Sequence, residues 1–345
     1  MSGRAIYFRP GQAGLIALAM LTACNTTDTV TEPGAETAPK QQTQNAAISS
    51  DRAVNTVTLS ERYEDALALQ AANKPAAAIV VFRTLAAEGH APSAFDYARA
   101  LDQGDGVPRD EEAAKKWYKK AADLGSPRAF YREGLTYANG AGVEQDPEKA
   151  VIAFTKAAEL DHAEAQVRLG RAYIIGEGVE RDVLWGSRWY DKASVQGNAD
   201  AQFAYAVQLA SGKNIPLNLP LAAALLQAAE QNGHDQAAQI LPKIQGRLSP
   251  EQQAEAAALL ADLYNAGPRG IEDRPTVRYV QKALYLLGID VGDADGWIGE
   301  KTRIGIKQFQ TQIDVTADGA LTPGLLQQLR DALKSADFTS TASIN

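Results

Sequence analysis

The chain has 345 residues, one cysteine, and 34 basic against 42 acidic side chains, a net charge of -8. A single thiol closes no internal disulfide and builds no cysteine metal cage. The acidic balance, without clustered Lys and Arg, excludes the footprint of a nucleic-acid partner.

At the start of the chain, Arg4 and Arg9 form a short basic region, and residues 13–20 run apolar apart from Gly14. Leu21, Thr22 and Ala23 then lead to Cys24. Charged, apolar and small-residue regions in this order make a secretory signal segment, and its apolar part is too short to span a bilayer. No second apolar run reaches spanning length.

With cysteine as the first mature residue, residues 1–23 resemble the bacterial lipoprotein signal and its lipobox. The resemblance implies cleavage after Ala23, diacylglyceryl modification and fatty acylation (palmitate) at Cys24, and membrane attachment through that lipid. The alternative is an ordinary signal peptide with an incidental cysteine. Cleavage removes two arginines and no acid, leaving 32 basic against 42 acidic residues, a net of -10. Asn25, where an aspartate would imply inner-membrane retention, favours the outer membrane, facing the periplasm. Residues 24–55 are rich in Thr, Ala, Gln, Glu and Pro and bury too little surface to offset their ordering entropy. They read as a disordered tether spanning roughly 30 Å.

Self-similarity organises the middle of the chain. Gly104, Gly140, Gly176 and Gly212 are each 36 residues apart, as are Ala129, Ala165, Ala201 and Ala237. The segments "GDGVPRD", "GAGVEQD" and "GEGVERD" repeat in register with "KKWYKKAADLG", "VIAFTKAAELD" and "SRWYDKASVQG". Each period reads as two helices. The first glycine ends one helix, where positive φ is needed, and the aspartate caps the next. Ala98, Gly134, Gly170 and Ala206 are small residues that let a facing helix approach. Trp117-Tyr118, Ala153-Phe154, Trp189-Tyr190 and Leu225-Leu226 share one phase and fill the inter-repeat core, with a binding platform as the alternative.

The motif "GxGV..D..KA..WY.KAA..G" resembles the Sel-one-like repeat (SLR), a relative of the tetratricopeptide repeat, over about residues 91 to 246. The resemblance implies an α/α superhelix that binds envelope protein partners and carries no chemistry of its own. Residues 59–89 look like a degenerate first helical pair. Ser249, Pro250, Glu251 and Gln252 open a closing helix through a capping box. His90, His162 and His234 recur two repeats apart, so a regular stack separates them by at least roughly 20 Å, which excludes a shared metal. They read as turn residues. No G-x-S-x-G, H-E-x-x-H or Walker loop occurs, so no enzyme, metal or cofactor is expected.

Beyond "AGPRGIEDRP" the period is lost. "TVRYVQKALYLLG" places Val277, Val280, Ala283, Leu284 and Leu287 on one stripe, and a second and a third helix follow. "VQKALYLLG", "DGWIGEKT" and "IKQFQ...DG.LTP" together resemble the peptidoglycan-binding domain of cell-wall hydrolases. That resemblance implies a non-catalytic module whose first loop carries Asp295, Gly296, Gly299 and Thr302, read first as architecture, with peptidoglycan contact by Asp295 and Thr302 as the alternative. Gln281, Trp297, Gln308 and Gln310 are the contacts it suggests for sugars and stem peptides. The expected fold is all-α, a helical solenoid followed by a three-helix bundle. The parts are signal 1–23, tether 24–55, solenoid 56–266, linker 267–275, bundle 276–334 and disordered tail 335–345. The linker offers few apolar residues to join the two bodies. The function expected is an envelope scaffold that binds peptidoglycan, in exopolysaccharide (alginate-like) assembly or export. The alternative is a periplasmic regulator or localisation factor for a signalling or cell-wall remodelling protein.

Overall fold

Glycines and aspartates punctuate the described chain as their spacing predicts. The computed structural model describes residues 58–263 and 272–336, and these form fifteen α-helices and no strand. Cys24, its signal segment and the tether lie outside the described residues.

The helices pair in chain order. A first pair, α1 (Leu59–Ala71) and α2 (Pro75–Ala87), turns at Asn73, whose φ is +57°. The repeats follow as α3 (Ala91–Gln103) with α4 (Glu111–Asp123), and α5 (Pro127–Asn139) with α6 (Pro147–Glu159). Then come α7 (Ala163–Ile175) with α8 (Val183–Val195), and α9 (Ala199–Ser211) with α10 (Leu219–Gln231). The first helix of each repeat ends at Gly104, Gly140, Gly176 or Gly212, all left-handed. Asp110, Asp146, Asp182 and Asn218 each accept a backbone N–H at the start of the second helix. The fourth repeat lacks the GxGV motif but retains both the glycine terminator and a capping side chain.

Close approach inside a repeat depends on small residues. A Cβ on Gly134 would lie 2.4 Å from the Phe154 ring, and one on Gly170 would lie 2.9 Å from Tyr190. Three of the paired positions belong to the core: Phe154, Trp189 and Tyr190 are buried, as are Leu225 and Leu226 in the fourth repeat, whereas Trp117 and Tyr118 in the first are half-buried. Full burial of each such leucine contributes about 1.5–3 kcal/mol. Among the three histidines, His90, His162 and His234 are the N-cap residues of α3, α7 and α11 (Asp235–Gln245).

α12 (Pro250–Asp262) starts in the expected capping box, with Ser249 and Gln252 bonding each other's backbone. It packs on α10, whose buried face is almost entirely Leu and Ala. This closes the stack.

The bundle consists of α13 (Arg274–Leu286), α14 (Glu300–Gln312) and α15 (Pro323–Ser335). Arg274 and Pro275, read as linker from composition, are the first turn of α13, because Asp273 caps it and proline suits the N1 position. The expected separation of bundle and solenoid does not hold. α13 lies along α8, and every residue from Arg274 to Leu284 is buried. Arg278 makes two 2.6 Å bonds to Asp191, both side chains almost inaccessible. Arg188 donates to Thr276, Lys192 pairs with Asp273 at 2.6 Å, and Lys282 donates to the Tyr205 hydroxyl. At the rim, Arg330 meets Asp182 at 2.6 Å and Lys334 meets Glu180. Trp185 packs edge-on against Tyr279. The apolar content of the linker does not report this junction, because the helices themselves make it, through these ion pairs and through an apolar core that continues from Leu184 and Tyr205 to Tyr279.

Candidate functional site

Two loops of the bundle are built alike, each around one buried glutamine. In the first, Gln281 Oε1 accepts from the Gly296 N–H at 2.9 Å, and its Nε2 donates to Asp295 Oδ1 at 2.9 Å. The same Nε2 reaches the Trp297 carbonyl and the Thr302 hydroxyl, both at 3.2 Å. In the second, Gln310 Oε1 accepts from the Gly319 N–H at 2.9 Å, and its Nε2 donates to Asp318 Oδ1 at 2.8 Å. Each aspartate also accepts the N–H two residues on, from Trp297 and Ala320, at 2.8 Å. For Asp318 these bonds hold the carboxyl below its usual range, the Ala320 backbone bond first and Gln310 second. Gly296 and Gly319 have φ of +83° and +75°. A Cβ on Gly296 would also come within 3.0 Å of the Arg274 carbonyl.

This geometry separates the candidate residues. Gln281, Thr302 and Gln310 are 2%, 2% and 6% exposed, and their polar atoms close the two loops. The direct ligand contact expected for Gln281, Thr302 and Gln310 is therefore closed to them; they position the loops. Trp297 is 46% exposed, with the Arg274 guanidinium 4.9 Å from its ring centroid. Asp295 is exposed at the rim of the same loop, and Gln308 is exposed on α14.

Sequence reasoning missed Lys301 and Ile304. With Gln308 they occur at helical spacing on one exposed face of α14, which begins a turn after Trp297, and Ile304 is 56% exposed. An apolar residue left outside the core stripe was the available signal. Arg274 was missed as well. It bonds the Asp262 carboxylate at 2.5 Å and the Asp295 carbonyl at 3.3 Å, tying the loop to the end of α12.

Among the described residues no cluster of His, Cys, Asp or Glu has the arrangement of a metal site, and no helix is long and apolar enough to cross a membrane.

Residues 91–126, 129–162, 163–198 and 199–234 match the Sel1 repeat family. Residues 273–329 match the family described as a putative peptidoglycan binding domain. No curated protein matches the chain. Among solved structures, a Sel1 repeat protein from Oxalobacter formigenes is similar at 24% identity, with a TM-score of 0.50, covering 64% of this chain and 93% of its own. A protective antigen of uropathogenic Escherichia coli with an SLR fold matches at 19% identity and a TM-score of 0.36, over 85% and 81% of the two chains. An immunity protein from Pseudomonas aeruginosa matches at 25% identity and a TM-score of 0.37, over 60% and 80%. The first of these supports the solenoid fold. The chain carries four Sel1 repeats followed by a C-terminal domain of the putative peptidoglycan binding family.

Proposed function

We propose that the chain is a non-enzymatic envelope lipoprotein, lipidated at Cys24 and held at the outer membrane facing the periplasm. Its repeats hold protein partners and its C-terminal domain binds peptidoglycan. The wall-binding role rests on one observation above all: residues 273–329 match the peptidoglycan-binding family, and both of its loops are held by buried glutamines. The contact surface we propose is Trp297 and Asp295 with Lys301, Ile304 and Gln308. An aromatic face suits a sugar ring, and the lysine and amide suit stem-peptide carboxylates and carbonyls.

Co-sedimentation of the mature chain with purified sacculi tests this reading. Binding in the micromolar to millimolar range, about 8 to 4 kcal/mol, is expected. A lipid-anchored domain meets the wall at high effective concentration, so weak binding suffices. Trp297→Ala should weaken the pull-down while leaving the helical circular dichroism unchanged. Absence of binding by the intact chain would show a domain that has kept the fold and lost the ligand.

Within this reading the repeats serve exopolysaccharide assembly or export. The second reading, a regulator of a signalling or cell-wall remodelling protein, is favoured by the docking of the bundle on α8, which puts wall-contact loop and repeat surface in one body. Affinity capture from solubilised envelopes separates them: secretion components support the first, signalling or wall-remodelling proteins the second.

A further inference from the structure

We propose that the contact surface around Trp297 is completed by the repeat stack: Asp262, at the end of α12, orients the indole through Arg274. The inference rests on the reading of Trp297 as a wall contact. Arg274 and Asp262 are positioning residues that act through that ring.

The loop's own bonds fix its backbone and leave the ring unheld. Gln281 bonds the Gly296 N–H, the Asp295 carboxylate and the Trp297 carbonyl, and Asp295 Oδ1 accepts the Trp297 N–H. Each of these bonds reaches Trp297 through its main chain or stops at a neighbour. A side chain 46% exposed and clasped only by its backbone keeps its choice of staggered χ1 rotamers. The contact made to the ring itself is that of the Arg274 guanidinium, 4.9 Å from its centroid.

Arg274 is held in turn. It is 8% exposed, and its Nη1 bonds the Asp262 carboxylate at 2.5 Å and the Asp262 carbonyl at 3.1 Å. Its Nη2 donates to the Asp295 carbonyl at 3.3 Å. A guanidinium is planar with its donors in a fixed fork, so bonds to Asp262 and to the loop together set the plane offered to the indole. The loop backbone closes on the same residue, since a Cβ on Gly296 would lie 3.1 Å from the Arg274 Cβ. Asp262 lies outside residues 273–329, which match the peptidoglycan-binding family. The orientation of Trp297 is therefore a product of both parts of this chain. Without that hold the indole samples about three χ1 wells, and with one of them competent the affinity falls about threefold.

The test uses the full mature chain with Cys24→Ser, its four tryptophans replaced by fluorotryptophan. Trp297→Phe identifies the Trp297 fluorine resonance. Asp262→Ala should move that resonance towards the free amino acid, leave the other three in place and preserve the helical circular dichroism. Arg274→Met should act likewise and takes its place if Asp262→Ala does not fold. In co-sedimentation with purified sacculi, Asp262→Ala should bind about threefold more weakly than the parent. Asp262→Ala with Trp297→Ala should bind no more weakly than Trp297→Ala alone, because the two act as a unit. An unmoved Trp297 resonance, or losses that add in the double variant, would overturn the inference. If the parent does not bind sacculi, or Trp297→Ala binds like the parent, the wall-contact reading fails instead. The fluorine resonance then still decides whether Asp262 orients the indole.

Discussion

At the scale of single residues, the buried pair Asp191–Arg278 shows why a charge inside a protein is tolerated only with its partner. Arg278→Met leaves the Asp191 carboxylate buried without its ion-pair partner, and should cost about 3–5 kcal/mol in urea denaturation. Replacing both with apolar residues of similar size should be close to neutral, because the desolvation of both charges disappears together. Lys282 is a second case: burial pulls its pKa down to about 8, against the Asp191 charge that raises it. His162 adds a pH dependence. Its Nδ1 accepts the Ala165 N–H at 3.3 Å, which needs the neutral ring, and burial first of all lowers its pKa below the usual 6.5. A depressed histidine favours the folded state when neutral. Its contribution is therefore fully present above pH 6.5 and is lost as the pH falls through the folded value. His162→Asn, which copies the cap that Asn198 makes one period later, should flatten the thermal stability of the chain between pH 7 and 5. An unchanged pH slope would remove His162 from the account.

At the scale of elements, the repeat is held by a glycine that ends one helix and an aspartate that opens the next. Gly176 has φ of +78°, and a Cβ there would sit 3.3 Å from the Arg181 Cβ. Gly176→Val should destabilise by about 1–3 kcal/mol through backbone strain. Hydrogen exchange should place the damage mainly in α5 to α10, since a repeat contacts chiefly its neighbours. Uniform loss of protection across all the helices would argue against that quasi-linear stack. Gly134 tests a different constraint: an added methyl meets the Phe154 ring, and overpacking of this kind costs about 1–3 kcal/mol.

At the scale of the whole molecule, the proposed anchor and the described body make separable predictions. Cys24→Ser should leave the protein in the soluble periplasmic fraction or unprocessed, with the mass of the lipid missing. An unaltered mass and fractionation would refute lipidation. The folded body should melt as before in that variant, because the anchor lies far along the chain from the first described helix at Leu59.

The sequence by itself determined the all-helical class, the register of the repeats, their caps and the three helices of the bundle. These follow from local chemistry, since a terminating glycine or a capping aspartate acts within a turn of its own position. Tertiary structure alone decided which side of each polar residue was used. Gln281 and Gln310 have the chemistry of a sugar contact and the surroundings of a loop clasp, and only the fold that brings Gly296 and Gly319 beneath them separates the two. Arg278 and Lys282 occupy the face of α13 that an amphipathic reading assigns to water. They are buried because Asp191 and Tyr205, 87 and 77 residues away, lie against them. Periodicity reports which side of a helix faces its own core. It does not register a second surface arriving from elsewhere in the chain, and that surface decides how the C-terminal domain sits.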